Sequence, residues 1–367
     1  MNRALVDRRV QSATEERQAG HASWLVAPGV WRLKDVFVNV HIIQDADGMG
    51  WVLVDAGLKS TAEKVRQFTA DLFGKSSRPT AIIMTHGHFD HRGSLIELAE
   101  EWGVPVYCHH QERPYLTGQS NYPPPDPSVG GGALALLSFL YPKGPIDAEA
   151  YLADLPGDGN IPELSGWRWI HTPGHAPGHI SLFREKDGVL IAGDAFVTTL
   201  QESLLAVATQ KRFVCGPPKY FTPDWGAAAR SVKALAALEP SVISTGHGRA
   251  MYGNEARKEL HKLSREFWRL GMPATGRYVK EAAEFDENGM PTHIPSQKNT
   301  MLTKVLAAAA LVALGLIIYR QRKYTHGFTK KVSEQLGKAL MTSSLGMLGA
   351  AAPVSAAVPN IPLVPSV

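Results

Sequence analysis

The run MTHGHFDH, residues 84–91, directly follows the apolar stretch Thr80-Ala81-Ile82-Ile83 and sets three imidazoles and a carboxylate within six positions. So dense a set of metal-capable side chains at the end of a strand constrains the fold more than any other feature of the chain. His86 and His88, two apart, lie on the same side of an extended or turning backbone. Asp90 and His91 follow in the next turn. One divalent ion could take the first pair and a neighbouring ion the second. Imidazole and carboxylate suit zinc, and also iron or manganese.

Four donors do not complete a two-ion site, and the sequence offers more, each at a strand end. WIHTPGHAPGHIS carries His171, His175 and His179, VLIAGDAF ends a strand at Asp194, and VISTGHG ends a strand at His247. The pattern is an apolar strand, then a donor, with glycine close by to let the backbone turn sharply. The two oxygens of Asp194 could bridge two cations, which together would hold a hydroxide and polarise a carbonyl or phosphoryl oxygen.

The surrounding rhythm is of strand pairs followed by alternating strand and helix. Residues 36–43 and 51–54 read as strands about a turn at 45–48, 59–73 as a helix, 80–84 as a strand, 93–102 as the helix behind it and 104–107 as a short strand. After the interruption, 167–170, 180–183, 189–192 and 242–244 read as strands, and 225–238 and 254–270 as helices. The interruption is 111–152, with the turn-rich NYPPPDPSVGGG and the apolar ALALLSFLY. An insertion of this length suits a lid or substrate-binding loop, and the apolar run 133–141 is expected to be buried against something.

At this point the chain resembles the metallo-β-lactamase-fold hydrolase superfamily, glyoxalase II and the lactonases included. VLVDAG, THGHFDH, TPGHAPGH, AGDAF and STGHG occur in the family order over residues 22–270. The resemblance implies an α/β fold, a four-layer αβ/βα sandwich with its metals at the edge between two sheets. It implies two zinc ions per chain, with iron or manganese as substitutes. His86, His88 and His175 would bind the first, Asp90, His91 and His247 the second, and Asp194 would bridge them. Asp55 would be a supporting carboxylate. His171 and His179 are left out of the ligand set, and His109 and His110 read as surface or loop residues. Cys108 reads as a buried small hydrophobe, since no basic partner for a nucleophile is identifiable. Tyr220 is either an oxyanion donor, a leaving-group acid or mere packing beneath the site.

Of the 367 residues, the expected hydrolase domain is 22–270, preceded by a charged arm at 1–21 and followed by a linker at 271–300. Residues 301–323 are expected to form an apolar helix, and 324–367 a basic and then Pro/Ala-rich tail. The uncharged VLAAAALVALGLIIY would be about 22 Å long against roughly 30 Å of bilayer core. It is therefore expected either to contact or cross a membrane or to lie as a buried or interfacial helix. The net charge of +4 belongs to the tail: residues 320–340 hold six Lys/Arg against Glu334, leaving the rest of the chain at about −1. No basic patch points to a nucleic-acid partner. Two cysteines and an N-terminal stretch without an apolar core fit a cytoplasmic location, membrane-associated if the 301–323 helix acts as an anchor.

The expected activity is metal-dependent hydrolysis of a small molecule, with hydroxide attacking an ester, lactone or thioester carbonyl and Asp90 and Asp194 as the catalytic carboxylates. Rival expectations are a mononuclear-iron persulfide dioxygenase, a phosphodiesterase or nuclease, and a non-catalytic membrane-tethered metal scaffold.

Overall fold

The chain opens as a meander because its β-branched and aromatic runs are split by tight turns. β1 (Leu25–Ala27), β2 (Val30–Asp35), β3 (Val38–Gln44) and β4 (Trp51–Val54) pair antiparallel in succession. The architecture is that of a computed structural model describing residues 24–297. The arm at 1–21, the apolar helix at 301–323 and the tail at 324–367 lie outside the described residues. From β4 onward the sheet turns parallel, through β5 (Ala81–Ile83), β6 (Val106–Cys108) and β7 (Leu152–Asp154). Parallel neighbours need crossovers, and helices α1 (Ala62–Phe73) and α2 (Leu95–Trp102) supply the first two.

A second, five-stranded sheet holds β8 (Arg168–His171), β9 (Ile180–Arg184), β10 (Val189–Ile191), β11 (Val242–Ser244) and β12 (Met251–Tyr252), in the spatial order β12-β11-β10-β9-β8. Its one parallel pair, β10 and β11, is joined through helix α3 (Trp225–Ala237), and α4 (Gly253–Arg265) follows β12. The start of α3 is fixed locally: the Asp224 carboxylate accepts the Ala227 N–H at 2.9 Å, a side-chain N-cap.

Alternation along the strands builds the layers. Val52, Val54, Ala81 and Ile83 face Ile180, Leu182, Val189 and Ile191 in a core between the two sheets. Leu53 and Ile82, one residue out of phase, face the other way onto Val65, Leu95 and Leu98 of α1 and α2. Leu190 and Ile243 do the same on the second sheet, against Val232, Leu235, Leu260 and Leu263 of α3 and α4. The result is helix, sheet, sheet, helix, the expected four-layer sandwich.

Three expectations are corrected. Residues 271–297 are not a bare linker. Tyr278 and Ala283 are buried against the α3/α4 side, and β13 (Glu284–Phe285) pairs with β14 (Pro291–His293) about a turn held by Asp286. The apolar run 133–141 is not core: only Ala135 and Ser138 are fully buried, while Leu136, Leu137, Phe139 and Leu140 are exposed, Leu140 to 65%. His109 lies in the loop after β6, as expected, but is buried rather than at the surface, its ring stacked on His171 at 4.2 Å. Among the described residues no helix is long and apolar enough to cross a membrane.

Candidate metal centre

All the strand-end donors lie beyond the carboxyl ends of their strands, where open α/β sheets place their ligands. β5 delivers His86, His88, Asp90 and His91, the last two on a helical turn, Phe89–Arg92. β8, β10 and β11 deliver the loops of His175, Asp194 and His247. Both sheets therefore contribute, and the donors meet at their shared edge. Ligand-capable atoms of His86, His88 and His175 lie within 4.8 Å of one another, as do those of Asp90, His91 and His247, and those of His86, His91 and Asp194. Asp194 Oδ2 is central, 3.0 Å from His247 Nε2, 3.5 Å from His175 Nε2 and 3.6 Å from His91 Nε2.

The opposite ring nitrogens show why these faces converge. His91 Nδ1 is 2.8 Å from Asp55 Oδ2, His247 Nδ1 is 2.8 Å from the Phe37 carbonyl, His86 Nδ1 is 3.1 Å from Thr85 Oγ1, and His175 Nδ1 is 3.3 Å from Thr222 Oγ1. Each outer partner orients its ring, as outer partners of metal-binding histidines do. Asp55 has φ +63°, unusual for a residue with a Cβ. That turn brings its carboxylate onto the Thr85 N–H and hydroxyl as well as onto His91. The His247 loop is gripped from the first sheet: Asn39 Nδ2 donates to the carbonyls of Thr245 and Gly248, and Arg32 donates to Gly248.

Bound metal fits what these residues lack. His86 Nε2, His91 Nε2 and Asp194 Oδ1 are buried with no hydrogen-bond partner. Polar atoms buried in that state are costly unless something satisfies them. The electrostatics agree. Burial works against a charge on His91 and His247, yet the Asp194 carboxylate holds both imidazoles above their usual range. Burial alone would raise Asp194, but His247 and His91 hold it well below the carboxylate range. Burial, aided by neighbouring imidazoles, pushes His86 and His88 well below theirs, which leaves neutral, ligand-ready rings.

The structure brings together all seven residues singled out in the sequence. It separates the other histidines. His179 is buried beside the site but accepts the Asp194 N–H on Nε2 at 2.8 Å, positioning the aspartate rather than facing the donor cluster. His171 turns to the Pro177 carbonyl, and His110 is exposed. Tyr220 joins Phe89, Tyr141 and Phe221 in an aromatic wall; Phe221 stacks on His88 at 4.6 Å. Residues with no signal of their own in the sequence are Thr85, Thr222, Glu112 and Tyr122.

Cys108 and Cys215 are both buried, and burial pushes both thiols up from the ordinary range. In the native protein neither should react with a chromogenic thiol reagent while the denatured chain titrates both. Rapid labelling of a native thiol would contradict this.

The chain is 46% identical over 244 residues to the probable metallo-hydrolase YflN of Bacillus subtilis, covering 66% of this chain and 92% of that protein. It is 28% identical over 225 residues to the probable metallo-hydrolase YybB of the same organism, covering 61% of this chain and 86% of that one. Among solved structures, TTHA1623 in a di-iron-bound form is 26% identical with a TM-score of 0.42, covering 64% of this chain and 96% of that one. The family described as the Metallo-beta-lactamase superfamily matches residues 33–247, a span that takes in every donor above from His86 to His247, and the chain belongs to that superfamily.

Proposed function

We propose that this metallo-hydrolase cleaves an ester, lactone or thioester whose acyl or ring portion is apolar, with two zinc ions held by seven side chains. His86, His88 and His175 would hold one ion and Asp90, His91 and His247 the other, with Asp194 between them. The single observation that carries the reading is the set of buried, unpartnered donor atoms facing one another across the edge of the two sheets. Two such cations, when bound, supply a nucleophile from water at neutral pH and polarise a carbonyl.

The chain's own residues supply the rest. Asp55, Thr85, Thr222 and the Phe37 carbonyl keep the rings aimed. Phe89, Tyr141, Tyr220 and Phe221 wall one side and exclude water. Beyond Tyr141 the exposed Leu136, Leu137, Phe139 and Leu140 extend an apolar surface, which supports an apolar substrate portion. Asp90 is the proton carrier to the leaving group. Asp90→Asn keeps the shape and one oxygen but cannot take up the proton, so it should depress kcat more than it depresses folding.

The test is the purified chain, stripped and reloaded with zinc, iron or manganese, against esters, lactones, thioesters and phosphodiesters. Carbonyl substrates with apolar acyl groups should be hydrolysed only by the loaded protein. Replacing Leu136, Leu137, Phe139 and Leu140 with serine should raise KM for long acyl chains and leave short ones nearly unchanged. Full activity in the stripped protein, or an acyl group trapped on a side chain, would end the proposal. Turnover of phosphodiesters alone would redirect it to nucleic-acid chemistry.

A further inference from the structure

Glu112 lies outside the donor set yet touches both histidine-bearing loops. It is fully buried in the helical stretch after β6. Its Oε2 accepts the Gly87 N–H at 2.8 Å and also bonds the Tyr122 hydroxyl, while its Oε1 accepts the Gly178 N–H at 2.8 Å. Gly87 is the residue between His86 and His88. Gly178 belongs to the loop that begins at His175 and ends at His179. The Gly87 N–H is shared with the Tyr122 oxygen at 2.9 Å, and the Tyr122 ring lies 4.4 Å from the His88 ring and stacks on Tyr115 at 3.7 Å.

Both glycines are closed onto this pair. A Cβ on Gly87 would sit 2.8 Å from the Tyr122 hydroxyl, and one on Gly178 would sit 2.8 Å from Glu112 N and 2.9 Å from its Cγ. The carboxylate thus takes peptide N–H groups from two loops that are far apart in sequence, and no ligand-capable atom of the seven donors takes part. Its effect is on the spacing between loops.

We propose that Glu112 is a positioning residue: a buried carboxylate clamp, completed by Tyr122, that sets the distance between the His86–His88 loop and the His175 loop and so the affinity of the three-histidine set for its ion. This rests on the metal reading of those histidines. A glutamine at 112 has one acceptor oxygen, and its amide N–H₂ would face a peptide N–H, so one loop loses its anchor. An aspartate keeps both acceptors but falls one methylene short.

The experiment is titration of the full, metal-stripped chain with zinc against a chromophoric chelator, for the wild type, Glu112→Gln, Glu112→Asp and Tyr122→Phe, with thermal melts of the stripped proteins alongside. The expected result is two affinities in the wild type. In Glu112→Gln, one of them should weaken by roughly 10- to 100-fold, the scale for outer partners of metal ligands. The other should change far less, and Glu112→Asp and Tyr122→Phe should fall between. Folded Glu112→Gln and Tyr122→Phe proteins that hold both ions as the wild type does would overturn the clamp. So would equal weakening of both ions in step with the melting temperature, which marks a merely structural residue. If Glu112→Gln does not fold, Tyr122→Phe decides: unchanged affinities there overturn the proposal. A wild type that binds no zinc, iron or manganese overturns the metal reading itself, whereas two ions held with the same affinities in the wild type and in every variant overturn the clamp alone.

Discussion

Asp194→Ala should leave the purified protein with at most one tightly held metal ion where the wild type is expected to hold about two. Hydrolysis should fall by more than the roughly 10- to 100-fold that loss of an outer partner brings. The reason is position. One carboxylate oxygen lies within 3.0–3.6 Å of three imidazole nitrogens from three different loops, and the other oxygen has no protein partner at all. The neighbouring carboxylates have places of their own, Asp55 on Thr85 and His91 and Asp90 in the second proposed donor set beside His247. The backbone of residue 194 stays anchored through its N–H on His179, so the far-UV spectrum should be retained. Elemental analysis and activity on the same preparation check this. Two ions and undiminished turnover in Asp194→Ala would show that the aspartate is not shared between them.

Gly246→Ala should damage the site nearly as much, although it removes no donor. An added methyl would overlap Asp194 Oδ1 and lie 2.7 Å from His91 Cε1. The backbone cannot retreat to make room. The Gly246 N–H donates to the Gly193 carbonyl at 2.8 Å and its own carbonyl accepts from Asn39 N at 2.7 Å, so it is pinned from both sheets. Overpacking of this kind costs about 1–3 kcal/mol, and here the strain falls on the donors themselves. Metal content should drop, and the denaturant midpoint should fall with an unchanged slope. Gly157→Ala, where a Cβ meets nothing within 4 Å, is the neutral control. Wild-type metal affinity in Gly246→Ala would mean the loop yields more easily than its hydrogen bonds indicate.

The sequence made some of this legible and hid the rest for physical reasons. The strands could be read because runs such as 51–54 and 81–83 are short, apolar and bounded by turn residues, but they are buried on both faces, so their stacking into four layers was available only through the family resemblance. His86, His88, Asp90 and His91 could be read because local spacing alone brings them together. The choice among His171, His175 and His179 could not be made from spacing, since nine residues hold all three. It is decided by which ring turns inward, and His179 turns to the Asp194 N–H while His171 turns to the Pro177 carbonyl. Glu112 and Tyr122 were invisible because a lone glutamate and a lone tyrosine in an insertion carry no pattern; only the fold sets them against Gly87 and Gly178. The run 133–141 misled because hydrophobicity does not distinguish a core from an apolar rim. The β13–β14 hairpin did leave a signal, the Asn288-Gly289 pair typical of tight turns, in a stretch whose polarity reads as linker.

The division of the donors between two sheets bears on how the chain comes to be made. Synthesis delivers His86 through His91 first, as a short multidentate segment with nothing across from it. His175, Asp194 and His247 follow one loop at a time, and the last is of use only after β11 has paired with β10. Domains are built N-terminal first, and closing such distant segments is the slow part of forming an α/β topology. A metal ion arriving early would therefore meet a loose, generic chelate, and one arriving late would meet a finished cage. Selection for the right ion belongs to the second moment, when geometry rather than donor chemistry can discriminate.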